Sequence, residues 1–334
     1  MSADPSYMRA YRNMRVLVTG GAGAIGSSLC RALTRLGALV TVLDDLSSSD
    51  CRSLVGLPNC QFVKGSILDP DTLARIFSQE PQLVFHLAAL FANQNSVEHP
   101  EQDLMVNGLG TLRVLQAAQA ARVDRVIYAA TSCAVYGDVT QMPITEEACS
   151  LDLHTPYQIT KLLGELYCNY FKSFYQLKTV RVRFFNSYGP GEIPGRYRNV
   201  IPNFIYWALQ QQPLRITGTG EETRDWTYVE DIVDGLLRAG VVEGVTGEVF
   251  NLASGRETKV IELARQVNEI TDNKAGIIHA ERRNWDTHNR RWASIDKARR
   301  FLGYEPIIDL RSGLQHTVDW FRMNWTSILS GAQF

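Results

Sequence analysis

No apolar run in these 334 residues approaches the ~20 consecutive positions a membrane-spanning helix needs, so no membrane is expected as a partner. Charge of one sign is also missing, with 34 Lys and Arg against 35 Asp and Glu for a net charge of −1. The basic stripe that a phosphate backbone demands is absent, which excludes nucleic acid as an expected partner. The six cysteines show no C-x-x-C pairing, and several fall in apolar segments. The opening residues 1–13 are polar and lack the apolar stretch of a secretory signal. Together these absences lead to the expectation of a reduced, cytoplasmic protein. No internal repeat or low-complexity tract interrupts the chain.

What is present is an alternation. The β-branched run at 15–19 ends in GGAGAIG and passes into a helical pattern, SSLCRALTRLG. Further strand-like runs fall at 39–43, 61–64, 83–87, 125–130 and 179–185, with helical stretches at about 70–79, 102–121 and 155–176. Strands alternating with helices of this length imply βαβ units and a doubly wound parallel sheet of Rossmann type, an α/β fold. After residue 186 the segments become shorter and more mixed. Helices are expected near 200–211, 230–240, 258–271 and 310–322, with strands at 214–217 and 248–252. The expected organisation is an extension at 1–13, a dinucleotide-binding domain with the catalytic residues at 14–186, and a smaller mixed α/β substrate lobe at 187–334 interleaved with it.

Gly20, Gly23 and Gly26 have G-x-x-G-x-x-G spacing between a strand and a helix. A side chain on that turn would hold a pyrophosphate away from the helix N-terminus, whose free N–H groups and dipole favour an anion. Asp44 stands 18 positions after Gly26, where a carboxylate accepts hydrogen bonds from the adenosine ribose and repels a 2′-phosphate. The dinucleotide expected is therefore NAD and not NADP. Its neighbour Asp45 reads as solvated. Small residues in His86-Leu-Ala-Ala89 would let the cofactor pass close to the backbone. His86 itself is either an acid–base group or a satisfied structural residue.

Tyr157 and Lys161, four apart, share one helix face. An unperturbed phenol titrates near ~10 and is a poor base at neutral pH. A fixed ammonium close by favours the ionised form, which makes proton exchange with a sugar hydroxyl practicable.

Eight motifs in order, TGGAGAIG, LDDLS, HLAA, TSCAVYG, YQITK, RFFNSYGPGE, RDWTYVEDIV and ASIDKARRFLGYEP, resemble the extended short-chain dehydrogenase/reductase family in its nucleotide-sugar epimerase/dehydratase branch, over roughly residues 14–323. The likeness is to the UDP-hexose 4-epimerases. It implies that Ser132 hydrogen-bonds the reacting sugar oxygen, that Tyr157 is the acid/base, and that Lys161 binds the nicotinamide ribose. Ala24, Ile25, Ser66, Ile67, Leu87, Ala88 and Ala89 would complete the NAD site with the glycines and Asp44. Asn107 matches a buried Asn that ties helix to strand, or is a helix-start amide. Phe91, Asn93 and Gln94 would line the sugar pocket with Ser132 and Cys133. Asn186, Asn199, Val200, Thr217, Arg224, Arg283 and Asp286 would hold the nucleoside diphosphate, the two arginines through bidentate contacts to phosphate oxygens. A homodimer through helices 102–121 and 155–176 is implied as well.

The same resemblance narrows the reaction. Relatives that remove water carry Asp then Glu after the catalytic Thr, and decarboxylating ones carry a Glu at the second position. Here those positions hold Cys133 and Ala134. What remains is Ser132, Tyr157 and Lys161 with NAD, the equipment of a 4-epimerase acting on a UDP-hexose, UDP-uronate or UDP-N-acetylhexosamine. Alternatives are a 3,5-epimerase or dehydratase-like enzyme using Cys133 as an extra acid/base, and a non-catalytic NAD-binding sensor or scaffold. Ser66 stands where an Asp usually reaches the adenine. Thr217 stands where an aromatic ring usually stacks on the substrate base. Arg290 or Arg291 would lie near the pocket position that controls sugar size, either to pair with a uronate carboxylate or exposed to solvent.

Overall fold

The computed structural model describes residues 6–132, 136–137, 139–283, 289–332 and 334. Six strands in the first half, β1 (Arg15–Thr19), β2 (Leu39–Asp44), β3 (Cys60–Lys64), β4 (Leu83–His86), β5 (Arg125–Thr131) and β6 (Thr179–Phe184), join Val249–Leu252 in one seven-stranded sheet. Every pairing is parallel, and the order is Val249–Leu252, β6, β5, β4, β1, β2, β3. The strand order reverses between β1 and β4, which opens a crevice at their carboxyl ends.

A parallel sheet is covered on both faces, so its strands carry apolar side chains in both directions. Val16, Val18, Val40, Val42, Phe85, Ile127 and Val182 form one core with helices Ala24–Arg35 and Val229–Val241. Leu17, Leu43, Val84, Val126 and Tyr128 form the other, with helices Pro70–Phe77, Thr111–Ala120 and Pro156–Tyr175. A third core gathers Phe204, Ile205, Ile216, Leu263, Val267, Leu314 and Phe321 around the parallel pair Leu214–Thr217 and Ile277–Ala280.

Local signals start the helices. Asp69 accepts from the Asp71 amide at 3.1 Å ahead of Pro70, and Asp309 accepts from the Ser312 amide at 3.0 Å. Several short elements had no sequence expectation, among them helices Asn93–Glu98, Asp296–Leu302 and Trp325–Gly331, and strand Ile277–Ala280. All are seven residues or fewer, too short to establish a period. The stretch expected as one helix over 102–121 has a wide, π-helical segment, Leu104–Gly110, inside it.

Helix Pro156–Tyr175 lies deep against β5 because Gly164 has no side chain. A Cβ there would collide with the Tyr128 hydroxyl and ring, coming within 3.0 Å even of Cε1. The Tyr128 hydroxyl donates to the Lys161 carbonyl at 3.2 Å, so the ring is fixed as well. Gly164→Ala would gain up to about 1 kcal/mol in helix propensity. Overpacking a filled site costs about 1–3 kcal/mol and is not relieved here by a flexible neighbour. The variant is expected to unfold at lower urea concentration than the parent; equal or higher resistance would refute this reading of the contact.

Candidate active site

The carboxyl ends of the strands open into a cavity of about 520 Å³. Its first wall is the turn after β1. Gly20 has φ +71°, and a Cβ on it would lie 2.6 Å from the Ala88 amide nitrogen. One on Gly26 would lie 2.7 Å from the Gly21 Cα. The turn is thus a cradle that only glycine fills, closed against Leu87–Ala88 on one side. Gly23 caps helix Ala24–Arg35 without a side-chain bond, leaving the first-turn amides facing the cavity. This is the geometry a pyrophosphate requires.

Asp44 lines the cavity at the end of β2, its Oδ2 accepting from the Ala22 amide at 3.0 Å and its Oδ1 from the Leu46 amide at 2.9 Å. Burial pushes its carboxyl above the usual range, against the pull of those two amides. Asp45 instead caps its own turn through the Ser47 amide at 2.9 Å. Ser66, Ile67 and Leu87–Ala89 complete this end of the lining.

His86 is a structural residue. Its Nδ1 lies 2.7 Å from Thr19 Oγ1 and its Nε2 3.0 Å from Thr111 Oγ1, and burial, followed by the Lys161 charge, lowers it to about 3. Asn107 does not line the cavity. It stands behind the wall, with Oδ1 accepting from the Leu90 amide at 2.8 Å and Nδ2 donating to the Leu90 carbonyl at 3.1 Å. Any effect of Asn107 on a cofactor passes through that strand end.

Ser132, Tyr157 and Lys161 meet in the cavity wall and are all buried. The helix carrying the last two starts sharply. Thr155 Oγ1 accepts from the Gln158 amide at 3.4 Å, the Gln158 Oε1 accepts from the Thr155 amide at 3.0 Å, and Pro156 occupies the first turn. The Tyr157 phenol therefore sits in the first turn, at the positive end of the helix dipole. Phe91 packs edge-on against it, with centroids 6.0 Å apart and planes at 90°. Lys161 Nζ lies 4.8 Å from the Tyr128 ring centroid. Burial draws the Lys161 ammonium down to about 8, while the Asp103 and Glu165 charges oppose that fall.

The other end of the cavity belongs to the second half of the chain. Asn186, Asn199, Val200, Thr217, Arg224 and Arg283 all line it, as do Asn93 and Gln94 on the sheet side. Asp225, fully buried, sets the Arg224 strand by accepting from Ser254 Oγ at 2.6 Å and from the amides of Ser254, Gly255 and Ala293 at 2.8, 3.0 and 3.3 Å. Cys133 and Asp286 lie outside the described residues. The two adjacent arginines separate: Arg290 is exposed and paired with Glu257 at 2.6 and 2.7 Å. Arg291 is buried in the cavity wall, donating to the Ser132 carbonyl at 3.5 Å and the Gly137 carbonyl at 2.5 Å.

Several lining residues carried no sequence expectation. Glu192, Arg196, Tyr197 and Arg198 belong to the segment 189–199 in the cavity lining. Arg196 donates to Glu98 Oε1 at 2.8 Å and the Tyr197 hydroxyl to Glu98 Oε2 at 2.6 Å, while Arg198 reaches the Ser48 carbonyl. Glu192 lies beneath, raised to about 6 by burial and holding Asn199 Nδ2 at 2.9 Å. Trp207 and Trp226 line the second-half end. Nothing local in a sequence announces a contact with Glu98, 99 residues away.

Residues 16–253 match the NAD dependent epimerase/dehydratase family. Over 319 residues the chain is 34% identical to UDP-glucose 4-epimerase of Mycolicibacterium smegmatis, covering 92% of this chain and 99% of that one. It is 33% identical over 321 residues to UDP-N-acetyl-alpha-D-glucosaminuronate decarboxylase of Bacillus cytotoxicus, with coverage of 92% and 98%. Among solved structures, an epimerase of Methanothermobacter thermautotrophicus superposes with a TM-score of 0.97 at 55% identity, covering 98% of each chain. With its glycine cradle, its Ser132–Tyr157–Lys161 wall and these relatives, the chain belongs to the NAD-dependent epimerase/dehydratase family of nucleotide-sugar enzymes.

Proposed function

We propose that this protein is a nucleotide-sugar 4-epimerase acting on a UDP-hexose through a transient 4-keto sugar. The observation that carries the proposal is the burial of Ser132, Tyr157 and Lys161 together in the wall shared by the glycine cradle and the Arg224–Arg283 end of one cavity. Bound NAD supplies reversible hydride acceptance at the sugar carbon. Ser132 hydrogen-bonds the reacting C4 oxygen, and Tyr157 takes its proton in the forward half and returns it in the reverse half. Lys161 holds positive charge beside the phenol and the nicotinamide ribose. Asn186, Asn199, Val200, Thr217, Arg224 and Arg283 hold the nucleoside diphosphate. Firm anchoring there leaves the sugar free to present either face, which inversion requires. The remaining cofactor contacts fall to Gly20, Gly23, Ala24, Ile25, Gly26, Asp44, Ser66, Ile67 and Leu87–Ala89.

A carboxylated sugar is the second reading, favoured by the position of Arg291. Its buried guanidinium lies against the Ser132 turn, where an anionic substituent on the sugar ring would find it. A fixed guanidinium fork suits a carboxylate. Helices Leu104–Gly110 and Pro156–Tyr175 also leave Leu104, Met105, Ile159, Leu166 and Phe174 exposed, an apolar surface that supports pairing of two copies.

Incubated with UDP-glucose, UDP-N-acetylglucosamine and UDP-glucuronate, the purified protein is expected to form the 4-epimer of at least one, with no deuterium gained from D₂O. Loss of water, or deuterium at C3 or C5, would replace this reading with chemistry at Cys133. No reaction with any sugar while NAD stays bound would favour a non-catalytic role. Tyr157→Phe is expected to retain NAD and lose about 10²–10⁴-fold in kcat; near-parental turnover would remove Tyr157 from the mechanism. By light scattering the protein is expected at twice the chain mass, and Leu166→Glu at the mass of one chain. A monomeric parent would rule the pairing out.

A further inference from the structure

Asp103 is a fully buried carboxylate that neither the glycine cradle nor the Ser132–Tyr157–Lys161 wall uses directly. Both of its oxygens are engaged. Oδ1 accepts from Asn107 Nδ2 at 2.7 Å, and Oδ2 accepts from Thr160 Oγ1 at 2.6 Å. Thr160 directly precedes Lys161, and its hydroxyl also lies 3.3 Å from the Tyr157 carbonyl. Asn107 in turn clasps both backbone polar groups of Leu90, next to the Phe91 ring that packs on Tyr157. Asp103 is thus the centre of a path from the cavity shelf to the helix that carries Tyr157 and Lys161.

Neutral donors alone leave a buried carboxylate costly, so a negative charge at this depth calls for a nearby positive one. The groups around Lys161 leave few sources for its balancing charge. Tyr128 presents a ring face, and burial keeps its hydroxyl protonated. Burial keeps His86 neutral from β4 and the Cys168 thiol protonated from the next turns of the same helix. Glu165 is held bidentately by Arg183, with both contacts at 2.8 Å, and has Arg181 at 3.9 Å, so its charge is already matched. The Tyr157 phenol is the proton-exchanging group itself. Among the described residues, Asp103 is the remaining anion.

We propose that Asp103 is a positioning residue for Lys161, a buried counter-charge that keeps its ammonium protonated and fixes the turn carrying it through Thr160. The kinetic consequence rests on the proposed epimerase reading; the charge state of Lys161 does not. A lysine buried without such a partner falls to about 5–6. Burial lowers Lys161 and the Asp103 charge raises it, so removing that charge lowers it further.

The test uses the full chain with NAD bound and lysines labelled with carbon-13 at Cε, the Lys161 signal being identified by its loss in Lys161→Arg. In the parent, Lys161 is expected to titrate near pH 8. A midpoint below about 7 would overturn the proposal without any Asp103 variant. In Asp103→Asn the midpoint is expected to fall by about half a pH unit or more, with NAD content retained. The alkaline limb of the kcat profile should move down by the same amount. Thr160→Val keeps the carboxylate, so it is expected to lower kcat without lowering the Lys161 midpoint. An unchanged midpoint in Asp103→Asn, or an equal fall in both variants, would reduce Asp103 to a structural tie and overturn the proposal. A shifted midpoint in a protein that turns over no sugar would sustain the role of Asp103 and sink the epimerase reading.

Discussion

The position of helix Pro156–Tyr175 depends on one buried ion pair, Glu165 with Arg183. Arg183 on β6 grips both Glu165 oxygens, and its remaining amino group donates to the Tyr136 hydroxyl at 3.0 Å and the Glu146 carbonyl at 2.9 Å. Tyr136 passes the connection to Asn251, whose amide donates to the Ile144 and Ser294 carbonyls at 3.0 and 3.2 Å. Helix Pro156–Tyr175, strand β6, the turn after β5 and the returning segment at 293–294 are therefore one hydrogen-bonded unit. Burying such a pair is expensive, and removing one partner costs about 3–5 kcal/mol because the other charge is stranded. Its value here is registry: Lys161 sits one turn from Glu165, so the fork that fixes one places the other.

The cavity is built by two halves of the chain, joined by the strand Val249–Leu252 on the edge of the large sheet and by a parallel bridge between Ile144 and Ala293. Asp225 secures that join. Its four contacts to residues 254, 255 and 293 tie the strand bearing Arg224 to the loop that follows the edge strand. Buried carboxylates thus brace both parts of the cavity wall, Glu165 through Arg183 and Asp225 through residues 254, 255 and 293.

Much of this was legible beforehand wherever the physics is local. The glycine turn announces itself within a few residues, because backbone sterics act at that range, and Asp44 follows it at the spacing a dinucleotide site needs. Cavity-lining side chains such as Arg224 and Thr217 were reached by resemblance to relatives, not by pattern. Two kinds of feature stayed hidden. Short elements such as Ile277–Ala280 have no measurable period, and their pairing partner lies 63 positions away. The separation of Arg290 from Arg291 was also undetermined, since neighbouring residues in an irregular segment have no fixed facing until Glu257 and the Ser132 turn are in place. His86 shows the same limit: only the two threonines on its ring nitrogens decide that it is a strut and not an acid.

Gly164 constrains how such a protein changes over time. Because Tyr128 fills the space a side chain there would need, the depth of helix Pro156–Tyr175 is fixed by an absence. Neighbouring positions that face outward, Ile159, Leu166 and Phe174, are exposed and free to drift or to acquire partners. Substitution can therefore rewrite the outer face of this helix while the inner face keeps Tyr157 and Lys161 in register.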